Sequence, residues 1–121
     1  LQEAVSEWLR EADVVVIPTR TTSRDIEPLM RMRKAVFKHS RAKIVYVMNG
    51  WNRFKASRDF MEWFGGLAGD QTVVTPPQSE AFVQAGAVGV SVVQFDRRGK
   101  AARATRALVD TVREAAGFPR E

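Results

Sequence analysis

Hydrophobic residues along this chain change their spacing at several points, and each change predicts where a helix gives way to a strand. Between Val5 and Ala12, apolar residues recur every three or four positions, the spacing of one helix face. Four β-forming residues follow at 14–17, a run typical of a strand buried on both faces of a parallel sheet. This strand should lead into a polar loop that begins at Pro18 and ends at Asp25.

The rest of the chain alternates short β-rich runs with amphipathic helical stripes. Gly65 and Gly66 should end one helix, because glycine accepts the left-handed conformation of a helix C-terminus. Pro76 and Pro77 should end the third strand, because proline cannot donate to a sheet ladder. The pattern predicts helices at 26–37, 52–64, 79–87 and 100–116, and extended segments at 43–48, 72–75 and 90–95. Such alternation predicts a three-layer α/β fold, with a mainly parallel sheet flanked by helices.

The composition fits a single α/β domain over residues 1–121. Hydrophobic residues make up 45% of the chain and charged residues 27%, ordinary values for a globular protein with one core. The absence of cysteine excludes disulfides, zinc–thiolate sites and thiol catalysis, and favours a cytoplasmic location. No apolar run approaches the roughly 18–20 residues that span a bilayer, and Pro119 would interrupt a C-terminal membrane-binding helix. His39, the only histidine, has no partner pattern and is predicted to be a surface residue.

The charge balance favours contact with phosphates, because the net charge is +5. Two basic clusters stand out. Arg53, Lys55 and Arg58 surround the start of a predicted helix, where they form either a phosphate-backbone patch or a solvated helix face. The second cluster precedes and opens the last helix, at its positive end, a placement that favours an anionic partner. Its members are Arg97, Arg98 and Lys100.

Further polar features are expected where strands end, the edge at which α/β proteins carry their functional groups. Asn49 ends the second strand, and its amide carries both the donor and the acceptor needed to read an adenine edge. Asn-Gly is also a common turn dipeptide, so the alternative is that the residue serves the turn alone. Pro76 and Pro77 either wall a flat heterocycle or only end a strand. The loop at 18–25 either binds an anion through its hydroxyls and arginines or caps the next helix.

These segments, in this order, resemble the C-terminal half of the ParA/MinD family of deviant P-loop ATPases. The matching segments are 12–18 with Asp25 downstream, 44–49, 73–76, and most strongly 81–96 followed by 99–102. In that family the Asn ending the middle strand and the Pro-containing loop after the next strand bind adenine. The resemblance therefore points to Asn49, Pro76 and Pro77 as nucleotide-binding residues. Gly50 departs from the family pattern, in which many relatives have Arg after the Asn.

The resemblance implies that this chain is the C-terminal portion of a longer ParA-like ATPase domain for plasmid or chromosome partitioning. It would supply the adenine-side wall and part of the dimer and DNA surface, while ATP and Mg²⁺ would be cofactors of the intact parent. A Gly-x-x-x-x-Gly-Lys-Ser/Thr loop is missing from the sequence, so no catalytic or metal-binding residue is assigned and the chain alone should be inactive.

The same resemblance implies particular partners. A homodimer is expected, because a sheet without its N-terminal strands would expose a strand edge and an apolar face. A centromere-binding, ParB-like protein would stimulate ATP hydrolysis, no membrane would be bound, and DNA would be contacted nonspecifically. The alternative hypothesis is a non-catalytic α/β module that binds protein or DNA. The DNA-binding candidates are Arg53, Lys55, Arg58, Arg97, Arg98 and Lys100.

Overall fold

A parallel three-stranded sheet organises residues 3–118, the part of the chain that the computed structural model describes. The strands are β1 (Val14–Arg20), β2 (Lys43–Asn49) and β3 (Thr72–Val74), in the order β1-β2-β3. The helices are α1 (Glu3–Glu11), α2 (Ile26–His39), α3 (Lys55–Ala68), α4 (Glu80–Val88), α5 (Val92–Phe95) and α6 (Lys100–Ala115). The predicted α/β class, a parallel sheet flanked by helices, is confirmed. Pro119 lies outside the described residues, and none of the described helices is long and apolar enough to cross a membrane.

The main core lies on one face of the sheet. On β2, Ile44, Tyr46 and Met48 are buried there, and Ile17 of β1 lies beside Tyr46. α2 connects β1 to β2 and α3 connects β2 to β3. Because both connections are right-handed and move across the sheet in the same direction, both helices lie on this face. The helical side chains in this core come from α1, α2 and α3, and they are Leu9, Leu29, Val36, Phe60, Phe64 and Ala68.

Other helices lie beyond the opposite face of the sheet. Val45 and Val47 point to that side of β2 and are buried, and α6 contacts both β1 and β2. A smaller apolar cluster joins α4, α5 and α6 through Ala85, Val92 and Ala101. Because β2 is covered on both faces, its apolar residues run without interruption, as expected for a central parallel strand.

β1 differs from its prediction in both length and burial. The strand does not end at Ile17 but continues through Pro18 to Arg20, and Val16 is 42% exposed. The Asp13 carbonyl accepts a hydrogen bond from the Lys43 N–H at 3.1 Å, so the backbone groups of odd-numbered β1 residues point toward β2. The nitrogen of Pro18, which carries no hydrogen, therefore faces the edge of β1 away from β2. No hydrogen bond to β2 is lost.

α3 does not stop at its glycine pair as predicted. The helix passes through Gly65 and Gly66 and ends before Gly69, whose φ of 58° is the left-handed value. Each helical glycine costs about 1 kcal/mol relative to alanine. Packing of Ala68 and Leu67 against the main core and the hydrogen bond from Arg33 to the Leu67 carbonyl offset this cost, because all three contacts lie beyond the glycine pair.

The segment predicted as extended at 90–95 is also different. Residues Val92–Phe95 form the short helix α5, which begins with a capping box. The Gln94 N–H donates to the Ser91 hydroxyl at 3.1 Å, and the Ser91 N–H donates to the Gln94 side-chain oxygen at 3.3 Å. Two backbone donors are thus satisfied locally, which favours a helical turn over a strand despite the β-branched residues.

A polar network anchors the centre of β2 to its helices. The buried Tyr46 hydroxyl donates to Gln71 Oε1 at 2.8 Å and accepts from Arg33 Nε at 3.1 Å. Arg33 Nη2 donates in turn to the Leu67 carbonyl at 3.1 Å. The network therefore ties α2 and the end of α3 to the middle strand.

We expect Tyr46→Phe to lower the free energy of unfolding by about 1–3 kcal/mol, because Arg33 and Gln71 each lose a partner in a place that water reaches poorly. Urea denaturation followed by circular dichroism measures this loss. Thr111→Val is the control, since the Thr111 hydroxyl bonds only the Ala107 carbonyl of its own helix at 2.9 Å. An equal loss in both variants would contradict a special role for the network.

Candidate functional site

A cavity of about 660 Å³ opens at the carboxyl end of β2. Asn49, Pro76 and Pro77 all line it, so the structure brings together the three residues that the sequence singled out for base binding. The arrangement follows from the sheet register, in which Val47 of β2 lies beside Val74 of β3. Residues two positions further along each chain segment, Asn49 and Pro76, therefore emerge side by side.

The Asn49 side chain is available to a ligand. Gly50 follows it with a φ of 74°, so glycine supplies the positive φ at which the chain turns after β2. The side chain that stabilises the turn is that of Asn52, whose Oδ1 accepts a hydrogen bond from the Phe54 N–H at 2.9 Å. Asn49 does not serve this purpose. Among the described residues no hydrogen bond engages the Asn49 amide, and this favours the base-reading interpretation over a purely structural one.

Residues that the sequence analysis did not assign to the site complete the cavity. The start of α4 contributes Glu80 and Phe82, and α6 contributes Thr105 and Leu108. Thr105 donates its hydroxyl hydrogen to the Ala101 carbonyl at 2.9 Å. The only sequence signal for Leu108 is its position on the apolar stripe of an amphipathic helix, which predicts core packing rather than a site.

The lining combines apolar walls with a few polar groups, the usual character of a small-molecule site. The apolar walls are formed by the two proline rings, Val47, Phe82 and Leu108. Polar groups are presented by Asn49 and Glu80. In residues 3–118, no group of three or more His, Cys, Asp or Glu side chains is positioned to hold a metal ion. The cavity suits a flat heterocycle that forms a small number of hydrogen bonds at one edge.

The first basic cluster is exposed at the start of α3. Arg53, Lys55 and Arg58 all face solvent. Lys55 Nζ lies 2.9 Å from Asp59 Oδ2, and this hydrogen bond and charge raise the pKa of Lys55. Because Asp59 already neutralises the ammonium in part, Lys55 is the weakest phosphate candidate in this cluster.

The second basic cluster contains an arginine that the sequence analysis missed. Arg97 and Arg98 line a cavity of about 410 Å³ together with Arg106 of α6, whereas Lys100 does not line it. The ion pairs found within residues 3–118 involve none of these three guanidinium groups. Three arginines that no carboxylate of that range neutralises create a local positive potential, which favours an anion.

The loop after β1 uses most of its polar groups within the protein. The buried Thr21 and Ser57 hydroxyls lie 2.7 Å apart, which ties this loop to α3. The Thr22 hydroxyl donates to the Asp25 carboxylate and makes no cap bond to the helix backbone. Arg20 Nε also lies 3.7 Å from that carboxylate. These contacts favour a structural role for the loop over an anion site.

Comparisons with known proteins do not assign this chain to a family. A scan against protein-family models finds no match, and a search of curated proteins finds none that matches.

Proposed function

We propose that the cavity at Asn49, Pro76 and Pro77 binds an adenine base, and that this chain supplies the adenine-side wall of a ParA-like ATPase. One observation carries the proposal: an asparagine amide with no hydrogen-bond partner in residues 3–118 lies at the rim of a cavity walled by two consecutive prolines. The carboxyl end of parallel strands is also where α/β folds bind nucleotides.

The chemistry of the lining matches adenine. Adenine presents an amino donor beside a ring-nitrogen acceptor, and one asparagine amide can pair with both groups. Guanine presents two acceptors on the corresponding edge, so the asparagine oxygen would face another acceptor. Pro76 and Pro77 with Leu108 offer apolar surface to the flat faces of the ring, which gains from leaving water.

In the intact ATPase of this proposal, ATP with Mg²⁺ supplies the phosphoryl chemistry and this chain contributes the base wall. ATP binding would drive dimerisation and contact with DNA, and a centromere-binding, ParB-like partner would stimulate hydrolysis during plasmid or chromosome partitioning. The parts that this chain would perform are binding the base, discriminating adenine from guanine, and presenting basic surface to DNA.

Nuclear magnetic resonance titration tests the base site directly. We expect adenosine to shift the backbone amide resonances of Gly50, Phe82 and Thr105, and guanosine at equal concentration to shift them much less. Amides on the far side of the sheet core, such as that of Leu29, serve as the internal control. Equal responses to the two nucleosides, or no response to either, would contradict the proposal.

DNA binding by the second basic cluster is a separate expectation. Replacing Arg97, Arg98 and Arg106 with alanine should weaken binding to duplex DNA and reduce the slope of log affinity against log salt by roughly 0.9 for each phosphate that is no longer neutralised. Fluorescence anisotropy with a labelled duplex measures both quantities. Arg31→Ala is the matched control, because Arg31 is an exposed arginine outside the candidate set and is already paired with Glu27. Binding that is indifferent to salt would rule out this interaction.

The alternative function, a non-catalytic interaction module, is favoured by a different observation. α4 is apolar but largely exposed, with Val83 68% and Val88 63% accessible to solvent, and an apolar helix usually packs against a partner. Sedimentation analysis measures self-association, which both functions allow, and the adenosine titration then separates them. Self-association without any response to adenosine would favour the module, whereas a response to adenosine favours the base wall.

A further inference from the structure

A second cavity, of about 570 Å³, lies near the amino end of β2, whereas the proposed base site lies at its carboxyl end. It is built where α2 ends and the chain turns toward the amino end of β2. Three of its lining side chains are arginine or lysine, one is a histidine, one is a phenylalanine and one is a serine. These residues are Arg10, Phe37, Lys38, His39, Ser40 and Arg41.

The charges in this cavity exceed what helix stability explains. Lys38 and His39 lie in the last turn of α2, where cations favour the negative end of the helix dipole. Arg10 comes from α1 and Arg41 from the segment after α2, so neither belongs to that turn. No ion pair within the described part of the chain engages any of the four. The cavity therefore has an uncompensated positive charge.

Phe37 provides a fixed aromatic surface beside these charges. Its side chain is 52% exposed, yet its ring lies over the Arg33 guanidinium, 4.5 Å from guanidinium carbon to ring centroid. Arg33 is itself held by the Tyr46 hydroxyl and the Leu67 carbonyl, each at 3.1 Å. An exposed ring held on an anchored cation loses little conformational entropy when a ligand stacks on it.

We propose that this cavity binds single-stranded nucleic acid, with a base stacked on Phe37 and neighbouring phosphates contacting Arg10 and Arg41. Stacking on an aromatic side chain beside a positively charged groove is the general mode of sequence-independent single-strand binding. A duplex keeps its bases inside the helix and offers no base to Phe37. An acidic peptide would use the charges but gain nothing from the ring. The combination of ring and charges therefore favours an unpaired strand.

Fluorescence anisotropy with a labelled oligothymidylate tests the site on the full chain. Phe37→Ala should weaken binding by at least about fivefold, the lower end of the stacking contribution of one base. Phe37→Leu keeps the apolar volume of the side chain but removes the aromatic face, so it should also weaken binding. Its urea denaturation midpoint should stay near that of the unmodified chain. Replacing Arg10 and Arg41 with alanine should lower the salt slope by roughly 0.7 for each phosphate that is no longer neutralised.

Phe54→Ala is the matched control, because Phe54 is an exposed aromatic that also has basic neighbours but does not line this cavity. It should leave oligothymidylate binding unchanged. Three results would each overturn the proposal: full affinity in folded Phe37→Leu, a loss of duplex affinity in Phe37→Leu as large as the loss for the single strand, or displacement of the strand by polyglutamate at equal charge concentration.

Discussion

Adenosine should bind the Asn49→Ala variant roughly 5- to 150-fold more weakly than the unmodified chain, because a good bidentate asparagine–adenine pair is worth about 1–3 kcal/mol. The Asn49 amide lies at the rim of the cavity and has no hydrogen bond to the described residues that its removal would break. The variant should therefore keep its stability while its affinity for the base falls. Titration of amide chemical shifts gives both dissociation constants.

Two further variants make this result specific. Asn49→Asp keeps an acceptor for the adenine amino group but removes the donor to the ring nitrogen, so adenosine affinity should fall. Gln84→Ala removes an exposed amide on α4 that does not line the cavity, and it should leave affinity unchanged. Unaltered adenosine binding in Asn49→Ala would show that the asparagine serves only the turn with Gly50.

Phe64→Ala should lower the free energy of unfolding by about 3–5 kcal/mol, the usual cost of truncating a buried phenylalanine. Phe64 is fully buried, and its ring centroid lies 4.8 Å from that of Tyr46 in an edge-on arrangement, with the planes 82° apart. Because domains of this kind are stable by only about 5–15 kcal/mol, the variant should be marginally folded. Urea denaturation followed by circular dichroism measures the change.

Phe54→Ala is the appropriate comparison for this truncation. The Phe54 side chain is 77% exposed immediately before α3, so its removal should change stability by no more than about 0.5 kcal/mol. A loss below about 1 kcal/mol in Phe64→Ala would mean that the core on the α1–α3 face is not closely packed around this ring.

Much of the architecture could be predicted because the signals are local. The apolar run at 43–48 predicted a strand, and its residues Val45 and Tyr46 are buried on opposite faces of β2. The resemblance to the ParA/MinD family grouped Asn49 with Pro76 and Pro77, and the structure places them side by side because the neighbouring parallel strands β2 and β3 end together. The adenine assignment itself stays a prediction, as do the partners and the DNA-binding residues.

The errors arose where a local signal competed with distant contacts. Glycine at 65 and 66 signals a helix end, but the packing of Leu67 and Ala68 against the core carries α3 past both positions. Pro18 signals a strand end, but its nitrogen lies on the edge of β1 away from β2, where a missing donor costs no bond to the sheet. The β-branched pair in α5 signals a strand, but Ser91 caps a helical turn there.

The alternation of strands and helices, and the polar residues at the strand ends, follow from the amino-acid order alone, because periodic burial and turn chemistry depend on neighbouring positions. Three groupings depend instead on the packed fold: Thr105 and Leu108 close the base cavity, Arg106 joins Arg97 and Arg98, and Arg10 of α1 joins Phe37 and Arg41. Each of these groupings joins residues from different turns or elements, and their proximity is set by how the elements pack.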